Sequence, residues 1–71
     1  MPKLKTLTPK QIIKLLEEKG FRLERKAGSH FVYYNSSLNK IAVVPFHSKN
    51  LPKGTMISIL KQAEINLKEL R

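Results

Sequence analysis

Cysteine is absent from this 71-residue chain, which excludes disulfides and thiolate metal ligands. A secreted domain this small usually relies on disulfide staples, so a cytoplasmic address is expected. Long apolar runs are absent as well. No stretch approaches the roughly 18 residues that span a bilayer. Met1-Pro2-Lys3-Leu4-Lys5 runs into polar sequence without the apolar core of a secretory leader, so no membrane association is expected. Acidic side chains are scarce: five glutamates, Glu17, Glu18, Glu24, Glu64 and Glu69. Glu17, Glu18 and Glu69 fall on exposed helical positions, and none of the five is spaced to pair with a histidine as metal ligands. No metal and no other cofactor is therefore expected.

What the chain has is positive charge. Fourteen Lys and Arg against five acids give a formal net charge of +9. That balance is ordinary for a nucleic-acid-binding protein and unusual for an enzyme of small metabolites; it implies a polyanionic partner. The length bounds the rest. Residues 1–71 make one domain, and a chain this short buries only about 60% of its unfolded surface. There is no room for a separate cofactor-binding unit.

The hydrophobic pattern divides the chain into five elements. Thr8 is the N-cap of a first helix, Pro9 takes its first position, Gln11 completes a capping box, and Leu7 is placed to staple onto Ile12. Ile12, Ile13, Leu15 and Leu16 form the apolar stripe, and Gly20 ends the helix in the left-handed conformation with Phe21 folding back on Leu16. The period then changes to two, across Phe21 to Lys26, Phe31 to Tyr34 and Ile41 to Val44, with turns around Ala27–Gly28 and at Asn35-Ser36-Ser37, and a stop at Pro45. A second helix starts between Pro52 and Thr55, runs to about Ala63, and turns Met56, Leu60 and Ala63 inward. Asn66 and Glu69 form a further capping pair for a short C-terminal turn. The fold class is α+β: a helix, a three-stranded antiparallel sheet and a helix, with both helices on one face of the sheet.

Pairing Tyr34 with Ile41 sets Val32 opposite Val43 and His30 opposite Pro45. A tight first turn is expected to set Arg25 opposite His30. The helix-covered face is then expected to hold Phe21, Leu23, Val32, Tyr34, Ile41 and Val43. His30, Arg25 and His47 would sit at its rim, and Arg22, Glu24, Phe31, Tyr33, Val44 and Phe46 on the other face. The N-terminus of the second helix, with Lys49, Lys53 and Gly54, is expected near the same rim, since free N–H groups and basic side chains favour phosphate. The candidate site is therefore His30 as the proton-exchanging group, with Arg25, Lys26, Gly28, Ser29, His47, Lys49, Lys53 and Gly54 around a nucleic-acid phosphate.

Three ordered motifs carry a resemblance. Arg25-x-x-Gly28-Ser29-His30, then Val44-Pro45-x-His47, then Lys53-Gly54-Thr55 leading into Ile59-Leu60-Lys61-Gln62-Ala63, resemble the HicA family, small mRNA interferase toxins of bacterial and archaeal toxin–antitoxin pairs. The similarity runs from Thr8 to about Ile65. It implies a double-stranded-RNA-binding-domain-like fold and an endoribonuclease that cleaves mRNA and so inhibits translation and growth, with His30 essential. It also implies a HicB antitoxin that covers the site, the toxin being a monomer alone and part of a hetero-oligomer with its antitoxin. Two positions depart from the pattern. Glu64 stands where glycine usually follows the second helix, and Phe46 where a basic residue is common.

The chemistry agrees with the residue types. Cleavage by attack of a ribose 2′-OH on the adjacent phosphorus needs a proton acceptor, and imidazole titrates in the right range. Arg25 and Lys26 are suited to stabilising the crowded phosphorane. His47 reads as the complementary acid, a phosphate ligand or a loop histidine. Ser29 reads as a turn former, since no carboxylate-backed triad accompanies it. Lys10 and Lys14, one helical turn apart, read as a solvated face rather than a phosphate track. The alternatives are a non-catalytic RNA-binding module, which needs only the basic surface, and a DNA-binding or regulatory interaction domain.

Overall fold

The structure, a computed structural model, describes residues 6–46 and 49–65. Its elements follow in the order α1 (Pro9–Glu18), β1 (Arg22–Ala27), β2 (His30–Asn35), β3 (Lys40–Pro45) and α2 (Lys53–Gln62). The strands form one antiparallel sheet in the order β1-β2-β3. The expected fold class is what the chain adopts. No described helix is long and apolar enough to cross a membrane.

Local chemistry sets the helix ends. Thr8 is extended (φ −74°, ψ 160°); its Oγ1 accepts the Gln11 N–H at 3.3 Å, and Gln11 Oε1 accepts the Thr8 N–H at 2.9 Å. That reciprocal box satisfies two donors that an uncapped helix leaves open. At the other end Gly20, at φ 96°, reverses the chain; Phe21 N–H donates to the Leu16 carbonyl at 2.9 Å and Gly20 N–H to that of Glu17 at 3.0 Å. These are the two bonds of a Schellman motif, and the accompanying apolar contact is supplied by Leu16 and Phe21, both buried. α2 ends in the same way, with Ile65 N–H on Leu60 and Glu64 N–H on Lys61, but its left-handed residue is Glu64 at φ 59°. The exit that glycine usually makes in the resembling sequences is thus made here by a glutamate. The proposed Asn66–Glu69 cap lies outside the described residues.

One core joins the sheet to both helices. Ile12 and Leu16 of α1 and Met56, Ile59 and Leu60 of α2 meet Tyr33, Ala42 and Val44, with Phe31 packed at the margin. This corrects the expected face. The helices cover Phe31, Tyr33, Ala42 and Val44, while Tyr34, Ile41 and Val43 lie on the opposite side, where Ile41 stays 51% and Val43 37% exposed. The reason is local. Phe31-Val32-Tyr33-Tyr34 is apolar or aromatic on both faces, so alternation alone does not choose between them. Small Ala42, fully buried, lets the helices approach the sheet closely. Phe21 is buried as expected, just ahead of β1, but Leu23, on an edge strand, is 43% exposed.

The β2–β3 register agrees with the sequence reading at all three positions: His30 faces Pro45, Val32 faces Val43 and Tyr34 faces Ile41. The β1–β2 register does not. Ala27 faces His30, Lys26 faces Phe31, and Arg25 faces Val32; the ladder then skips Glu24 and resumes with Leu23 on Tyr33 and Arg22 on Tyr34. Glu24 is the extra residue of a β-bulge.

Candidate active site

Gly28 and Ser29 are the loop of a two-residue hairpin closed by Ala27 and His30. Gly28 occupies the first loop position with φ 61°, and Ser29 has no positive φ. Glycine first is the pattern of a type II′ turn, whose backbone twist matches that of the flanking strands. The turn places His30 as the first residue of β2, exposed, on the face away from the helices. It is therefore not at the rim of the helix-covered side, as its expected face would have put it. Reversal of the sheet face puts His30 on the open side.

Arg25 is corrected in position but kept in company. A two-residue turn sets Ala27, not Arg25, opposite His30, and Arg25 opposite Val32. Residues on one face at diagonal positions still lie within reach of long side chains. Arg25 is thus a diagonal neighbour of His30 on the open face. Lys26 alternates to the other side, where its Nζ lies 5.0 Å from the centroid of the Phe31 ring. Phe31 in turn stacks on Phe46, with centroids 4.5 Å apart and planes 9° from parallel. Lys26 is therefore engaged in a cation–π contact beside the hairpin, not on His30's face.

The loop after β3 is tied back to the hairpin. Phe46 N–H donates to the Ser29 carbonyl at 2.6 Å. That bond holds the chain leading to His47 against the turn leading to His30. His47 itself lies outside the described residues. Lys49 is exposed in the lead-in to α2, and Lys53 and Gly54 are the first two residues of that helix, both exposed. Pro52 occupies the N-cap and supplies no side-chain bond, so the first α2 donors are left without a side-chain cap. Leu51, buried, fastens this segment by donating to the Leu7 carbonyl at 2.9 Å. The structure thus groups Arg25, Gly28, Ser29 and His30 on one hairpin, with Lys26 beside them on the other face and Lys49, Lys53 and Gly54 on a separate segment.

A family model described as the HicA toxin of bacterial toxin–antitoxin matches residues 9–65. The chain belongs to the HicA toxin family. A search of curated proteins finds no match. Membership gives this member a toxin's role in a toxin–antitoxin system. The two departures from the HicA pattern have structural accounts. Glu64 adopts the left-handed conformation and pairs with Lys40, Nζ to Oε2 at 3.2 Å. Phe46 is half-buried against Phe31, so an internal stack stands where a basic side chain is common.

Two features escaped the sequence. One is the bulge at Glu24, which has no composition signal here: it lies in Arg22-Leu23-Glu24-Arg25-Lys26, without glycine or proline. The other is Arg22, which an unbroken period of two separates from Arg25. The bulge returns both arginines to one face.

Proposed function

We propose that this HicA family member is a metal-independent endoribonuclease that cleaves mRNA, with His30 as its catalytic residue. The observation that carries the reading is the placement of an exposed imidazole at the start of β2, on the open face with Arg25, held there by the Gly28–Ser29 turn.

The chemistry proceeds within the RNA. His30 accepts the proton of a ribose 2′-OH as that oxygen attacks the adjacent phosphorus. The P–O5′ bond breaks, leaving a 2′,3′-cyclic phosphate on one fragment, and the departing 5′-oxygen takes a proton from water or from a protonated His47. Arg25 faces the extra negative charge of the phosphorane, an interaction that strengthens only as that charge develops. Lys49, Lys53 and Gly54 contact flanking phosphate from the start of α2. Gly28 and Ser29 position His30 through the backbone. The net charge of +9 draws the substrate in. The proposed setting is the cytoplasm, where mRNA is translated, and the proposed partner is a HicB-type antitoxin that silences the toxin by covering His30.

The test is cleavage of end-labelled mRNA in the presence of EDTA by the native protein and by His30→Ala. Cleavage by the native protein alone is expected, with activity lost by roughly 10²-fold or more in the variant. Intact RNA with the native protein would overturn the nuclease reading and leave an RNA-binding module. Equal cleavage by both proteins would remove His30 from the chemistry.

A further inference from the structure

We infer that single-stranded RNA runs along the open face of the sheet, from a phosphate subsite at Arg22, past Arg25, to His30. The assignment of the reacting phosphate to the His30 end rests on the nuclease reading above.

The bulge makes this path. Without it, strand alternation would put Arg22 and Arg25 on opposite faces. With Glu24 left out of the ladder, Arg22 pairs with Tyr34 and Arg25 with Val32, and both partners belong to the His30 side of β2. Bulges commonly re-aim a side chain next to a working site. Here the result is a row of cations along an exposed edge strand, ending at an imidazole. At about 3.3 Å per residue, the four steps from Tyr34 to His30 give the row a length of about 13 Å, a span of a few nucleotides.

The chemistry of the face suits a single strand. Arg22 and Arg25 are exposed, and among the described residues neither forms an ion pair. Beside the arginines lie Tyr34, half-buried with its hydroxyl donating to Asn39 Oδ1 at 3.2 Å, and exposed Ile41 and Val43. A cationic groove beside an aromatic and apolar floor is how folded domains hold single strands, with phosphates on the cations and bases on the floor. A duplex offers its phosphates but keeps its bases stacked inside, so this floor would go unused. A shallow cavity of about 190 Å³, lined by Gly20, Arg22, Leu23, Glu24, Tyr34 and Ser36, lies at the far end of the row from His30. It gives Arg22 a concave setting with hydroxyl neighbours. Glu24 also lines it, and its carboxylate opposes a bound phosphate.

The experiment measures binding on the His30→Ala background, so that RNA stays intact. The probes are a fluorescein-labelled single strand of about 8 nucleotides and a duplex of about 16 base pairs. The single strand is expected to bind more tightly than the duplex. Arg22→Ala is expected to weaken single-strand binding about fivefold at 0.1 M salt and to lower the slope of log K against log salt by about 0.7, one phosphate contact. Arg22→Lys should keep the slope, and Glu24→Gln should tighten binding. Lys10→Ala on the exposed side of α1 should change nothing. Unchanged affinity and slope in Arg22→Ala, or tighter binding of the duplex, would overturn the path. The two readings fail separately. A native protein that leaves RNA intact while Arg22→Ala still weakens single-strand binding removes the nuclease and keeps the path. Cleavage that needs His30, with Arg22→Ala inert in binding, removes the path and keeps the nuclease.

Discussion

The side-chain nitrogen of Asn35 donates to the carbonyl oxygen of Lys19 at 2.8 Å, fastening the C-terminus of α1 to the end of β2. Its Oδ1 accepts the Leu38 N–H at 3.0 Å, so the same amide also closes the β2–β3 turn. Asn35 is 2% exposed, and both bonds are part-buried. Each is worth about 1 kcal/mol, and the buried side chain that makes them is lost with them. Asn35→Ala is therefore expected to destabilise the fold by about 2–3 kcal/mol in urea unfolding. Asn35→Asp should cost at least as much near neutral pH, since it buries a carboxylate whose oxygen faces the Lys19 carbonyl oxygen.

Glu64 tests the second helix exit. An L-residue in the left-handed region costs about 1–2 kcal/mol relative to a right-handed one. Its ion pair with Lys40 returns little, because both side chains are about half exposed (45% and 51%) and such pairs contribute about 0–1 kcal/mol. Relief of backbone strain outweighs the lost pair. Glu64→Gly should raise stability by about 0.5–1 kcal/mol, while Glu64→Ala, which loses the pair and keeps the strain, should be neutral or slightly destabilising. Thermal unfolding of the two variants beside the native chain decides the sign.

How far the sequence discloses this protein depends on which residues carry the signal. Thr8, Pro9, Gln11 and Gly20 act through local backbone chemistry, and the α1 boundaries they announce are the ones observed. Pro45 ends β3 for the same kind of reason. Pairing β2 with β3 from Tyr34–Ile41 succeeds because the loop between them is short and polar. The choice of face fails because Val32 and Tyr33, adjacent in sequence, are both buried, at 7% and 4% exposure. Val32 is shielded within the sheet between Arg25 and Val43, and Tyr33 by the helices. The β1 register fails for a different reason. A bulge is a property of two strands and their twist, and no glycine or proline at or beside Glu24 marks it. His30 was legible as a candidate through Gly28 and Ser29, but its face and its companions were set by tertiary structure.

Tyr33 gives the fold an alkaline limit. Burial of the phenol among the helices, with a smaller contribution from the Glu17 charge, raises its pKa above the ordinary 10.0. For an acid whose folded pKa is raised, the neutral form is favoured in the native state. Its contribution to stability is fully present below about pH 10, the unfolded value, and is lost as pH rises through the folded value. Urea unfolding between pH 8 and about 11.5 should show the native chain losing stability more steeply than Tyr33→Phe at the alkaline end. Parallel curves would mean that the phenol ionises without cost in the fold.

Gly28 joins stability to the proposed chemistry. At φ 61° it occupies a region that L-residues rarely adopt, yet an added Cβ would meet no atom within 4 Å. Any cost of Gly28→Ala therefore comes from the backbone alone, about 1–2 kcal/mol. The chain can answer by unfolding part of the time or by changing the turn. A changed turn shifts His30 and the Ser29 carbonyl that holds Phe46, and RNA cleavage then falls further than the loss of folded protein accounts for. Ser29→Ala keeps that carbonyl and should cleave within about threefold of the native rate, as fits a residue with no nucleophilic role. D-alanine at position 28, introduced by chemical synthesis, accepts positive φ and should restore both stability and cleavage. Restored stability without restored cleavage would show that the glycine's bare backbone, rather than the turn it permits, is what the RNA needs.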